Sequence, residues 1–157
     1  MNNPLDIEFK LFNPELKKFG LPQYETTEAA ALDVRAMTTE KEVSIPSGMS
    51  VKFGIGFGFH INNPFVAALV MPRSSTGKKG LILKNTIGLI DSDYQGEVIC
   101  NVANINPEGS DPVVIKRGDR LFQLMFVPIV RADAKWVEEF GEKSDRGEGG
   151  FGSTGAS

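Results

Sequence analysis

VKFGIGFGFHI, residues 51–61, places Val51, Phe53, Ile55, Phe57, Phe59 and Ile61 at every second position, with Lys, Gly and His between them. Successive side chains of a strand point to opposite faces, so this spacing aims six apolar groups at one side of a sheet. Read from Met49 to Ile61, the stretch predicts one long strand, with His60 on the face opposite the aromatics. Similar short apolar runs recur on both sides of it between Gly, Pro, Asn and Asp. They are DIEFKLF (6–12), LDVRA (32–36), EVSI (42–45), FVAALVM (65–71), LILKN (81–85), EVICNVANI (97–105), VVIK (113–116), RLFQLMFVPIV (120–130) and KWVEEF (135–140). Many short strands separated by turn residues predict an all-β sandwich or barrel. Helical spacing is weak throughout. RSSTGKKG (73–80), following Pro72, is expected to form a short helix, and ADAKWVEEFGEK (132–143) fits a helix or a strand.

Bulk composition narrows the chemistry. A chain of 157 residues is most simply one domain, and its 17 basic and 20 acidic side chains leave a net charge of −3. That balance draws it neither to nucleic acid nor to a membrane surface. The apolar runs are too short to span a bilayer, and MNNPLDIEFK lacks the basic start and apolar core of a signal peptide. A cytoplasmic location is therefore expected. One Cys and one His exclude an intramolecular disulfide and a His/Cys metal cluster. They also leave His60 as the single candidate base for a conventional Ser or Cys hydrolase, on what reads as a strand surface. Cys100 reads as a small buried strand residue.

Four internal stretches carry candidate chemistry. In NTIGLIDSDYQGEV (85–98), Asp91 lies in an Asp-Ser-Asp turn, with Tyr94 three residues on. Such a turn is common local hydrogen-bonding chemistry, but a carboxylate fixed there could also act as general base toward water. In MPRSSTGKKG (71–80), Arg73, Ser74, Ser75 and the amides of a helix start could grip phosphate, or the segment could be a solvated basic turn. KRGDRLFQLMFVP (116–128) has a Gly118-Asp119 turn and a polar Gln123 within an apolar strand. AAALDVRAM (29–37) sets Asp33 among apolar residues, where a carboxylate needs partners; Arg73 and Arg120 are candidates, and an architectural role is favoured. The glycine-rich end DRGEGGFGSTG (145–155) satisfies G-x-G-x-x-G at Gly147, Gly149 and Gly152, but lacks the strand, helix and acidic residue of a dinucleotide site.

Taken together, these stretches resemble the homotrimeric all-β dUTPase family. Its five motifs appear in order as AALDVRA (30–36), PRSSTGKKG (72–80), GLIDSDYQGEV (88–98), RGDRLFQLMF (117–126) and RGEGGFGSTG (146–155). The resemblance implies a distorted jelly-roll β-barrel of the β-clip type over residues 1–143, with residues 144–157 as a flexible glycine-rich arm closing over substrate. It implies a homotrimer in which each active site draws on all three chains. The implied reaction is hydrolysis of dUTP to dUMP and pyrophosphate, which limits uracil incorporation into DNA and supplies dUMP for dTMP synthesis. Mg²⁺ would be held by the triphosphate and water, with no direct protein ligand. By the same resemblance, Asp91 activates the attacking water. Asn85, Gly88, Leu89, Ile90, Tyr94 and Phe151 receive uracil and deoxyribose. Arg73, Ser74, Ser75, Gln123, Arg146, Gly152, Ser153 and Thr154 bind phosphates, while Asp33, Asp119 and Arg120 give structural support.

The chain departs from the family wording at three places. Ala31 stands for the usual Gly, Ser75-Thr76-Gly77 for Gly-Leu-Ala/Gly, and Phe122 for a frequent Ala. Arg-Ser-Ser is also frequent in the sister dCTP deaminases, which share the fold. They carry a catalytic Glu about ten residues after the hairpin Asp, and Asn101 stands there. A nucleotide-sensing regulatory protein is the remaining alternative, and the joint presence of Asp91, Tyr94, Arg146 and Phe151 speaks against a chain without catalysis.

Overall fold

A computed structural model describes residues 5–145, 147 and 148. Eleven strands dominate it: β1 (Glu8–Leu11), β2 (Leu32–Arg35), β3 (Glu42–Ile45), β4 (Ser50–Gly54), β5 (Phe57–His60), β6 (Val66–Pro72), β7 (Leu81–Leu83), β8 (Gly88–Ile90), β9 (Ile99–Asn104), β10 (Val113–Lys116) and β11 (Arg120–Pro128). The helix α1 (Ser74–Lys78) and a 3₁₀ turn at Pro14–Phe19 complete the described elements. Strands pair antiparallel in four sheets, β1-β5, β10-β3, β2-β11-β6-β8 and β4-β9-β7. The fold is all-β; the sheets enclose a common core, and no continuous ladder closes into a barrel among the described residues.

The stretch 51–61 is two strands in two different sheets: β4 pairs with β9 and β5 with β1. The alternation nevertheless survives the break. Phe53, Ile55, Phe57, Phe59 and Ile61 are all buried in the same core. The corner falls at Gly56, whose φ of +85° is disfavoured for residues with a side chain. A Cβ there would also lie 2.8 Å from Met37 Cγ. The Gly56 N–H, outside either ladder, donates to Glu97 Oε1 at 2.9 Å. Opposite this corner, Phe122 is fully buried with its ring 5.8 Å from that of Phe53, and Phe59 meets Phe126 edge-on at 5.6 Å. The fully buried Asn104 is satisfied: Nδ2 donates to the Ile45 carbonyl and Oδ1 accepts from the Asn106 N–H.

Two further sequence expectations need correction, beside the single strand expected over 49–61. Residues 132–143 form neither helix nor strand, because Trp136 and Phe140 are almost wholly exposed and no neighbour among the described residues stabilises either periodicity. The Asp91 turn reads as a hairpin between two strand-like runs, but the strand before it, β8, pairs with β6 rather than across the turn. The helix after Pro72 is present, one turn long.

Cys100 lies in the core on β9, and burial pushes its thiol pKa up to about 12. The folded chain therefore keeps the thiol neutral at pH values where an unfolded chain ionises it, near 8.5. This contribution to stability is complete below about pH 8.5 and falls as pH rises toward 12. Urea denaturation across that range should show a pH slope that is smaller in Cys100→Ala than in the parent chain.

Candidate active site

The loop between β7 and β8 spans two sheets, since β7 pairs with β9 and β8 with β6. The Lys84 N–H anchors it to the Asn101 carbonyl on β9, the Thr86 N–H closes the turn on the Leu83 carbonyl, and Thr86 adopts φ +63°. Asn85 and Leu89 are exposed here, while Gly88 and Ile90 are half-buried in the β8 backbone. Asp91 follows β8 directly and is exposed. Its carbonyl accepts from the Tyr94 N–H at 3.2 Å, and the Ser92 carbonyl accepts from the Ile61 N–H at 3.3 Å, which ties the turn to the end of β5. Tyr94 Oη donates to the Glu97 carbonyl at 2.9 Å and lays the ring against Gly96. A Cβ at Gly96 would come within 2.5 Å of that hydroxyl, so glycine is needed for the close approach. Asp91 borders an open cleft of about 560 Å³ together with His60, Asn62, Asp93 and Arg131. Neither His60 nor Arg131 was expected at the site. His60 lies on the outer face of β5, paired with Glu8 at 3.8 Å, and only the fold shows that this face borders Asp91.

A second polar group gathers where β2, β6 and β11 lie side by side. Asp33 and Gln123 face each other in register, as do Gln123 and Met71. The carboxylate of Asp33 lies between two arginines: Oδ1 is 3.2 Å from Arg73 Nε, and Oδ2 is 3.2 Å from Arg120 Nη1. Arg120 continues the chain to Glu25 at 2.8 Å, and that hydrogen-bonded carboxylate raises the pKa of its guanidinium. The Asp33 carboxylate is only 11% exposed, so its two cationic neighbours offset the cost of burying it. Gln123 donates from Nε2 to the Pro72 carbonyl at 3.3 Å. Asp119 closes the turn between β10 and β11, its Oδ2 accepting from the Lys116 N–H at 3.0 Å. Arg73, Ser74, Gln123 and Asp33 border a cleft of about 370 Å³; Ser75 is exposed outside its lining.

The two clefts share no lining residue. Within one chain the Asp91 turn and the arginine cleft are therefore separate, with β6 contributing Val66 and Ala67 to one and Met71 to the other. Among the described residues no three His, Cys, Asp or Glu side chains gather as a metal cage. Arg146, Phe151, Gly152, Ser153 and Thr154 lie outside the described residues.

The family model described as dUTPase matches residues 17–155. The chain belongs to the dUTPase family. Curated relatives include the deoxyuridine 5'-triphosphate nucleotidohydrolases of Shewanella pealeana, 44% identical over 95% of this chain and 96% of the relative, and of Shigella sonnei, 43% identical over 95% and 97%. Among solved structures, a dUTPase of Staphylococcus bacteriophage 80alpha with dUpNHpp superposes with a TM-score of 0.81 at 23% identity, over 96% of this chain and 99% of that one. The Streptococcus mutans dUTPase superposes at 0.68 with 27% identity, over 80% and 98%. The phage comparison, at that identity, supports the all-β dUTPase fold alone.

In this dUTPase-family chain, the carboxylate between Arg73 and Arg120 is expected to matter for stability as well as for the cleft. Asp33→Asn should destabilise the fold by about 1–3 kcal/mol in urea denaturation, because two adjacent guanidinium groups lose their shared counter-charge. Raising the salt concentration should narrow the difference from the parent chain.

Proposed function

We propose that this chain is a dUTP diphosphatase that hydrolyses dUTP to dUMP and pyrophosphate. The observation that carries the reading is the pairing of two clefts in a dUTPase-family chain. One is bordered by a backbone-fixed Asp91 with Tyr94 nearby on the same turn, the other by Arg73, Ser74 and Gln123. An exposed carboxylate on a turn held from both sides can orient a water molecule and take one of its protons as the oxygen attacks the α-phosphorus. Pyrophosphate then departs as the leaving group. A carboxylate is a weak base, so most of its contribution comes from positioning. Arg73, Ser74 and Gln123 supply donors for the charge that builds on the phosphate oxygens. Tyr94 and the exposed backbone around β8 receive the deoxyribose and the base, with Asn85 supporting the turn.

Selectivity follows from the same parts. Uracil and cytosine exchange a donor for an acceptor at N3, and a hydrogen-bonding site can reject the wrong partner by ~10⁴-fold or more. A pocket wall rejects an added hydroxyl by only ~10²-fold unless it sits in close contact, the role assigned to Tyr94 against ribose. Mg²⁺, carried on phosphate oxygens and water, would offset triphosphate charge. The family resemblance implies a homotrimer, and the separation of the two clefts within one chain is compatible with active sites shared between copies. The Asp91 turn of one copy would face the Arg73 cleft of a second, and residues 144–157 of a third would add Arg146, Gly152, Ser153 and Thr154 on phosphate and Phe151 over the base.

A single assay tests the reading. Purified protein with Mg²⁺ is given dUTP, dCTP, dTTP and UTP while pyrophosphate and ammonia are followed; pyrophosphate from dUTP alone is expected, and ammonia from dCTP or no turnover overturns it. Asp91→Asn should bind dUpNHpp with near-parental affinity while kcat falls by about 10³-fold or more, read from pyrophosphate release. Removal of residues 144–157 should leave a folded oligomer by light scattering but reduce turnover greatly, and full activity would return that segment to the status of a plain terminus.

A further inference from the structure

β11 carries an irregularity beside β2. Arg120 faces Arg35 and Phe122 faces Val34, which leaves Leu121 as one residue too many on its strand. A bulged residue drops out of that ladder, and its polar groups need partners elsewhere. The Leu121 carbonyl has two: it accepts from the Arg73 N–H at 2.9 Å and from Thr76 Oγ1 at 2.6 Å. The Arg73 carbonyl in turn accepts from the Thr76 N–H at 2.9 Å. Arg73, Thr76 and Leu121 thus close a ring of three hydrogen bonds between the first turn of α1 and the bulge.

That ring has work to do because α1 is poorly secured otherwise. It is five residues long, and Arg73 at its N-cap makes no side-chain cap bond. A helix of that length has no stability of its own. Thr76 is 1% exposed, so its hydroxyl exchanges partners with no solvent and is committed to the bulge carbonyl. Without that hydroxyl, the first turn would be held by the Arg73 N–H, by the ion pair of Arg73 with Asp33 and by the long Arg73 Nη1 bond to the Arg120 carbonyl at 3.5 Å. Arg73 and Ser74, the residues bordering the arginine cleft, are the ones that would move.

We propose that Thr76 is a positioning residue for phosphate recognition: its hydroxyl, bound to the carbonyl of a strand bulge, fixes the direction in which Arg73 and Ser74 meet the nucleotide's phosphates. The inference rests on the dUTP reading above. It is specific to phosphate, because the Asp91 turn is built on β8 on the other side of β6 and shares none of these bonds.

The test compares binding of dUpNHpp with binding of deoxyuridine, which has the base and sugar but no phosphate. Calorimetry is applied to the parent chain, Thr76→Val and Thr76→Ser. Thr76→Val should weaken dUpNHpp about tenfold, the scale of one lost hydrogen bond, and leave deoxyuridine unchanged. Thr76→Ser keeps the donor and should restore dUpNHpp affinity. In an Arg73→Ala background Thr76→Val should add little, since the two act on the same contact. Thr76→Ala takes the place of Thr76→Val if the latter does not fold. Equal losses for both ligands, full additivity with Arg73→Ala, or failure of both variants to fold overturns the proposal. If the parent chain itself gains nothing from the phosphates, it is the dUTP reading that fails.

Discussion

Five side chains from one short stretch, Phe53, Ile55, Phe57, Phe59 and Ile61, must share one core although the backbone that carries them belongs to two sheets. That constraint organises the molecule. A period of two can cross a corner only if the corner preserves parity, and Gly56 does so at a positive φ that residues with a side chain avoid. The turn it makes is locked by the Glu97 carboxylate on the Gly56 N–H, and the neighbouring Ile55 N–H is tied to the Val98 carbonyl. Glu97 and Val98 are the end of the segment that begins with Asp91. The core's corner and the candidate catalytic turn therefore brace each other, and the Tyr94 hydroxyl on the Glu97 carbonyl completes the brace.

The arginine cleft obeys a different rule. Asp33 is nearly buried on a strand between two guanidinium groups, an arrangement that leaves Arg73 oriented but only partly neutralised. Arg120 is more fully compensated, because Glu25 also pairs with it. Among the described residues Arg73 is the cation bordering the cleft, set beside Asp33 and Glu25, with Ser74 and Gln123 adding polar groups. A triphosphate entering there would meet a cation whose direction is set before it arrives, which limits the reorganisation needed on binding.

Much of this was legible in the residues. Short apolar runs between turn residues overlapped ten of the eleven strands, and Asp33 set among apolar residues announced its need for arginines. What escaped did so for physical reasons. The corner at Gly56 is invisible to periodicity because the parity is unbroken through it. β8 is three residues whose strand character comes from β6 rather than from its own sequence. Trp136, Val137 and Phe140 have the composition of a packed element, yet Trp136 and Phe140 are almost wholly exposed and Val137 is half exposed. His60 read as a surface residue and is one, but which cleft that surface borders depends on how β5 and the Asp91 turn come together. Thr76 read as one more hydroxyl in a polar loop; its burial and its bond to a bulge carbonyl depend on a strand irregularity that no spacing rule signals.

The separation of the two clefts has a genetic meaning. Because they share no residue, a lesion in the Asp91 turn and a lesion in the arginine cleft leave different halves of the machinery intact. Under the shared-site reading, two chains crippled in different halves would together contain a complete set when they assemble. A cell carrying both alleles could then regain activity that neither chain has by itself, while a chain crippled in either half would impair the sites it shares with healthy copies. Whether a given substitution behaves as recessive or dominant would be decided by which cleft it touches and by the composition of the assembly, rather than by how badly the single chain is damaged.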